Sequence, residues 1–277
     1  MGKWADGRAL SKKCWALLKS NRYFLWFPIL GLFLSLVPIV LSGLLMGVAV
    51  ALGVGWLVWV IGFIGLVFVN FAFVIAGAAL VASIDEELAG RESSLGYGFT
   101  KAFGRLGPLF TWSIIRAIVS SILGAIRSEG GGGVGALITN LVASAGAAAW
   151  SIITFFVTPC IMLGGESAVP AIKKSSHIVK EKWGTQVAGG VRIGLGVALI
   201  IIPGVLILVG GFMLANISGP AALAVIGLGA LIVLFGILIS SALKAIFSVA
   251  LYRFANDEPA LGPFTGQELS AVLTSKQ

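Results

Sequence analysis

The sequence predicts an all-α, polytopic integral membrane protein with six transmembrane helices. Three observations carry that prediction. Of 277 residues, 58% are hydrophobic and 11% charged, with a mean hydropathy of +1.05. Ordinary soluble domains carry about 25% charged residues to cover their surface, and this chain cannot supply them. Several apolar runs exceed the ~18 to 20 residues that cross a bilayer as a helix. Nothing alternates polar and apolar over about 10 residues, as barrel strands do. The whole of 1–277 reads as a single membrane domain with a polar C-terminal tail over 257–277.

The spans follow in order at 23–51, 54–84, 106–127, 134–163, 187–215 and 218–252. Gly and Pro mark short turns between spans one and two ("ALGVGW"), three and four ("SEGGGGVG") and five and six ("ANISGP"). Longer charged connections follow spans two and four. Pro28, Pro38, Pro159 and Pro203 are candidate kinks.

Positive charge sets the expected orientation. Lys3, Arg8, Lys12, Lys13, Lys19 and Arg22 precede span one. Arg91, Lys101 and Arg105 follow span two, and Lys173, Lys174, Lys180 and Lys182 follow span four. On the opposite side only Arg127 appears. Both termini are therefore expected in the cytoplasm, and the protein in the plasma membrane. No cleavable signal peptide is visible, because the first 22 residues are basic throughout. The net charge of +8 sits beside apolar runs, which points to anionic lipid and not to nucleic acid. Cys14 and Cys160 both fall near the expected cytoplasmic face, so no structural disulfide is expected.

Each pair of spans follows a basic amphipathic helix, which predicts three units of helix plus hairpin: 1–84, 85–164 and 165–256. Lys19, Lys101 and Lys180 recur at about 80 residues, and polar exits recur as "SIDEELAGRESS", "LGGESAVP" and "RFANDEPALGP". In the first connecting helix Leu10, Cys14, Leu17 and Asn21 share a side, while Arg8, Lys12, Trp15, Lys19 and Arg22 follow another. In the third, Val169, Ile172, Ser176 and Val179 share a line, and Lys173, His177, Lys180 and Gly184 another. Both patterns suit helices at head-group level whose lysines reach phosphates. Lys12, Lys13, Lys19, Arg22, Lys101, Arg105, Lys173, Lys174, Lys180 and Lys182 are the candidate lipid contacts.

"AIKKSSHIVKEKWGTQV" and "KKCWALLKSNRYFLWFP" resemble elements of uncharacterised multi-span families of bacteria and archaea. These are akin to the membrane domain found beside some glycerophosphodiester phosphodiesterases. The resemblance implies a six-span membrane component of unknown function. It carries over no catalysis, because the long soluble phosphodiesterase segment is absent from this sequence.

Within the apolar runs, Arg116 of "TWSIIRAIVSSILGAIRSEGGGG" stands out as the deeply placed charge. Ser113, Arg116, Ser120 and Arg127 form a polar stripe opposite an isoleucine-rich face. The segment alone could lie flat on a membrane, but its place in the three-unit pattern makes it a crossing. A charge at that depth faces an interior or a cavity. No Asp or Glu lies inside the six runs, so hydroxyls of Ser113 and Ser120, amides of Asn70 or Asn140, carbonyls, water or an anion must satisfy it. Either Arg116 is satisfied structurally, or it marks an anion or lipid-phosphate site.

Asn70, Thr139 and Asn140 are expected to stitch helices together. Gly43 with Gly47, and Gly190 with Gly194, have the spacing for close helix contact. The acidic run at 85–87 with Glu92 is expected to be solvated, with a cation site as the alternative. His177 is the only histidine and lacks the partners a metal needs. No Ser-His-acid set, HExxH or CxxC is present. No catalytic, cofactor or metal site is assigned, and the chain is not expected to be an enzyme. The expected role is a scaffold or accessory component of a membrane or envelope process with anionic-lipid contacts. A homo-oligomer or a membrane-protein partner is compatible with it. The alternative is a small transporter or channel with an anion-attracting stripe around Arg116.

Overall fold

A computed structural model describes residues 3–129, 133–183, 188–214, 219–258, 262–266 and 269. Side chains are described from residue 10 onward, except those of 134 and 182–200. Helices follow one another as α1 (Lys3–Ser20), α2 (Trp26–Ala51), α3 (Gly55–Leu88), α4 (Leu95–Phe103) and α5 (Leu106–Ser128). They continue as α6 (Val134–Ile153), α7 (Val157–Met162), α8 (Ala168–Ile178), α9 (Ala188–Leu214) and α10 (Gly219–Ala255). There is no strand among the described residues.

Among the described residues, five stretches are long and apolar enough to cross a membrane: Arg22–Ala51, Gly55–Leu88, Leu106–Ser128, Gly135–Met162 and Gly219–Ala255. α9 adds a shorter described apolar stretch, Ile201–Leu214. The remainder of the expected fifth span, toward its start, falls on side chains outside the described residues.

α9 with α10 and α2 with α3 make the most extensive helical contacts, and α3 also packs against α4 and α5 more extensively than α5 packs against α6. The first turn is tight because Gly53 takes a φ of +71°, the left-handed region a side chain resists. α9 and α10 approach at glycines seven residues apart. A Cβ on Gly229 would lie 2.7 Å from the Leu208 nitrogen, and one on Gly211 would lie 2.8 Å from the Ile226 nitrogen. Ala222, Gly229 and Gly236 are the matching small buried positions of α10. The expected small-residue contact on α2 is not used within the chain, because nothing lies within 4 Å of a Cβ on Gly43 or Gly47. Gly190 and Gly194 lie outside the described side chains.

The core sits at one end, where α1, α4 and α8 also lie. α3 is buried almost continuously from Ala72 to Ile84, and α10 over most of Ala242 to Arg253. Toward the Gly-rich turns the same helices expose Trp56, Trp59, Leu223 and Leu231, and α2 exposes Val48. At 1.5 Å per residue, the 34-residue α3 and the 37-residue α10 are about 50 and 55 Å long. A bilayer's apolar core is about 30 Å thick. Their ends at the core therefore rise beyond the hydrocarbon, and the buried polar groups cluster there.

The connecting helices dock on this core. α1 buries Leu10, Cys14 and Leu18, so its apolar line advances by four residues at each step. α8 buries Ala168, Ala171, Ser175 and Ile178. That face is turned one residue from the expected line, for Val169 is exposed. The Ser94 side chain accepts a hydrogen bond from the Tyr97 N–H and starts α4. Gly98 then meets α3 so closely that a Cβ would lie 2.5 Å from the Ala79 carbonyl oxygen. The described part of 257–277 folds back on the bundle, with Phe264 and Leu269 buried.

The expected fourth span is interrupted. Pro159 has no N–H for the Phe155 carbonyl and its ring crowds that turn, so α6 ends at Ile153 and α7 restarts at Val157. Pro38 and Pro203 lie inside α2 and α9. Pro28 occupies the first turn of α2, where a missing N–H costs nothing.

Candidate functional site

The end of α3 carries three successive carboxylates. Successive helical residues point about 100° apart, since a turn takes 3.6 residues. Each carboxylate therefore meets a different element. Asp85 Oδ1 accepts from Arg253 Nε of α10 at 2.6 Å, and the Asp85 carbonyl accepts from Nη2 at 3.2 Å. Glu86 pairs with Arg91 and accepts a hydrogen bond from the Tyr97 hydroxyl of α4. Glu87 accepts from the Tyr23 hydroxyl at 2.9 Å, just before α2. The acidic run is thus a structural clasp, and its carboxylates are not left to solvent as expected. Arg253 is 6% exposed and also approaches Glu258 at 3.5 Å.

A cleft of about 480 Å³ opens beside the clasp. Tyr97, Thr100, Lys101 and Arg105 form one wall, and Glu86, Met162 and Glu258 contribute to the others. Burial, then the hydrogen bond to Glu86, pushes the Tyr97 phenol up to about 12. Lys101 lies 5.4 Å from the centre of the Tyr97 ring. Arg105 donates to the Gly165 carbonyl at 3.0 Å and so joins α5 to the loop after α7.

The candidate lipid contacts divide into two groups. Lys12, Lys19, Arg22, Lys101, Lys173 and Lys180 are exposed at the core end. Lys13 is half-buried, and Lys174 is drawn inward to Glu166 at 3.5 Å and over the Tyr252 ring. Arg105 is half-buried in its bond to Gly165. The side chain of Lys182 lies outside the described residues. His177 faces Glu181 at 3.0 Å on the exposed side of α8.

Ser175 holds the broken helix. Its hydroxyl donates to the Ile153 carbonyl at 2.5 Å and accepts from the Phe156 N–H at 3.1 Å. These are the backbone groups freed by the break before Pro159. The Ser175–Ser176 pair in a basic segment gives no sequence signal for that role.

Arg116 lines a cavity of about 270 Å³ where the helical pairs meet. Its walls come from α2 (Pro28), α3 (Phe73 to Leu80), α7 (Thr158) and α10 (Ser241). Arg116 makes no hydrogen bond or ion pair with any described residue. The other expected polar groups do not gather there. Ser113 is buried and donates to the Leu109 carbonyl of its own helix at 2.8 Å, and Ser120 is exposed. Asn70 donates to the Leu66 carbonyl and Asn140 to the Ala136 carbonyl, while Thr139 bonds Gly135 and Ala136. These groups are satisfied within their own helices and do not join neighbouring ones.

Sequence reasoning also passed over Lys244, an exposed charge inside the run expected to be the sixth span. It lies about 38 Å along α10 from Gly219, beyond the thickness of the hydrocarbon core. Arg116 instead stands about 15 Å from the start and 18 Å from the end of α5, in the middle of a span.

Long apolar helices, their lipid-length exposed faces and a polar clasp at one end define a multi-pass α-helical membrane protein. The chain belongs to a family of unknown function, DUF6159, whose description matches residues 49–262. No curated protein matches the chain.

Proposed function

We propose that the protein is a non-enzymatic scaffold or accessory component of the plasma membrane that gathers anionic lipid at its cytoplasmic face. It crosses the membrane six times as three units of connecting helix and hairpin, with both termini inside. The observation that carries this reading is the exposure of Lys12, Lys19, Arg22, Lys101, Lys173 and Lys180 at the end shared by α1, α4 and α8. Near the opposite turn between α5 and α6, Arg127 is the one exposed basic side chain among the described residues. Each exposed lysine near an anionic leaflet contributes about 1 kcal/mol of attraction. The resemblance of the α1 and α8 segments to membrane domains beside glycerophosphodiester phosphodiesterases supports a lipid-linked setting. Mass spectrometry of lipids retained in mild detergent tests this reading. Replacing Lys12, Lys19, Lys173 and Lys180 with Gln should deplete retained anionic lipid several-fold. Unchanged retention would overturn it.

A second reading, a small anion transporter or channel, is favoured by one observation: the cavity at Arg116. It differs in its consequence, since it requires flux of an anion across sealed vesicles.

A further inference from the structure

The cavity at Arg116 is unlike the surface lysines, because its charge lies inside the span with no carboxylate among the described residues that line it. Pro28, Val74, Gly77 and Leu80 offer it no carboxylate, and among the described residues the lining side chains that can hydrogen-bond with it are the hydroxyls of Thr158 and Ser241. Removing an ion from water without a counter-charge is among the costliest acts in folding. Placing a guanidinium there is physically reasonable when something negative or strongly polar joins it.

The position of the cavity narrows what that is. α5 enters the membrane from the core end, and helical side chains lean toward the helix N-terminus. Arg116 therefore reaches back toward that end. Leu80 and Ser241 lie about 38 and 33 Å along α3 and α10 from their opposite ends. The cavity thus extends from the level of Arg116, inside the span, toward the head groups on the core side. A guanidinium presents paired N–H groups in one plane, which match two oxygens of a phosphate or carboxylate. Two hydroxyls from different helices can donate to the remaining oxygens. About 270 Å³ accommodates one such group with a few waters.

We propose that this cavity is a binding site for a single phosphate-type oxyanion, held by Arg116 with Thr158 and Ser241. The inference rests on the membrane-spanning reading above but not on the surface lysines. The ligand is either free phosphate or the head of a phosphomonoester lipid.

The test uses the full chain in neutral phosphatidylcholine nanodiscs. Retention of the protein in membranes after an alkaline carbonate wash checks the membrane reading separately. Thermal stability is then measured against inorganic phosphate, and in discs containing phosphatidic acid. A dose-dependent rise in the midpoint with either probe is expected. A rise with phosphate identifies a free anion, and one confined to phosphatidic acid identifies the lipid head. Arg116→Leu should abolish the rise, whereas Arg127→Gln should keep it. Thr158→Val, which retains the guanidinium, should weaken apparent affinity about tenfold, the usual effect of losing one hydrogen bond to a charged group. No rise with either probe in the wild type, or an equal rise in Arg116→Leu and Thr158→Val, would overturn the proposal.

Discussion

Arg253 Nε stands 2.6 Å from Asp85 Oδ1, joining positions 168 residues apart. The bond ties the end of α3 to the end of α10, the two longest helices described here, at the point where both have left the hydrocarbon. With Arg253 at 6% exposure, the pair is shielded enough to matter. Removing one partner of a buried pair leaves a stranded charge and costs about 3–5 kcal/mol. Arg253→Leu should therefore lower the thermal midpoint in detergent strongly. Arg91→Ala, at an exposed pair screened by solvent, should be close to neutral. Equal losses from the two variants would contradict the clasp.

Ser175→Ala removes one hydroxyl and strands two backbone groups at the α6–α7 break. The expected loss is about 1–3 kcal/mol. Ser176→Ala, one residue along, removes only a bond to the Lys173 carbonyl on the exposed side and should be close to neutral. Chemical denaturation of the two variants side by side separates them.

Gly98→Ala should destabilise the α3–α4 contact by about 1–3 kcal/mol, the typical cost of overpacking. Its new methyl would press on the Ala79 carbonyl oxygen and Ser83 Oγ, both 2.5 Å away. Gly77→Ala meets nothing within 4 Å. It should be neutral, or stabilising by about 0.5–1 kcal/mol through the helix preference of Ala. Thermal midpoints should order the variants accordingly.

The Tyr97 phenol gives a pH signature. Its folded value of about 12 lies above the ordinary 10.0. A group that holds its proton more tightly when folded stabilises fully below its unfolded value. That contribution is lost as pH rises from about 10 through about 12. The stability gap between wild type and Tyr97→Phe should be constant from pH 7 to 9.5 and narrow above it. A gap that widens with alkalinity would refute the assignment.

Burial pushes the Cys14 thiol up to about 12, and both cysteines are buried and free. Maleimide reacts with thiolate, so neither should label at neutral pH until the fold is opened with dodecyl sulfate. Rapid labelling of Cys14 in native protein would place α1 away from the core.

Five spans were legible because their signal is local: long apolar runs, and turns marked by Gly and Pro. The face of α8 was less legible, since Ala168, Ala171 and Ser175 are small or polar and Val169 is not. Packing against α7 selected the small residues and left Val169 outside. The clasp was hidden for a different reason. Three adjacent acids beside a basic segment look like a solvated flank, and only the convergence of α2, α4 and α10 reveals their partners. The glycine seam of α9 and α10 follows a seven-residue period. The four-residue spacing of Gly43 and Gly47 was the more familiar pattern but finds no partner in the chain. Arg116 was legible as a deep charge, while Thr158 and Ser241 come to it from the α6–α7 break and from α10.

The uneven distribution of the core has a mechanical consequence. Protein contacts fix the helices at one end, whereas side chains such as Val48, Trp59 and Leu223 at the other end meet only their surroundings. Helices that reach past their protein contacts adjust to the thickness of the host bilayer by tilting. A hub of protein contacts at one end thus leaves the other end to be fitted by lipid.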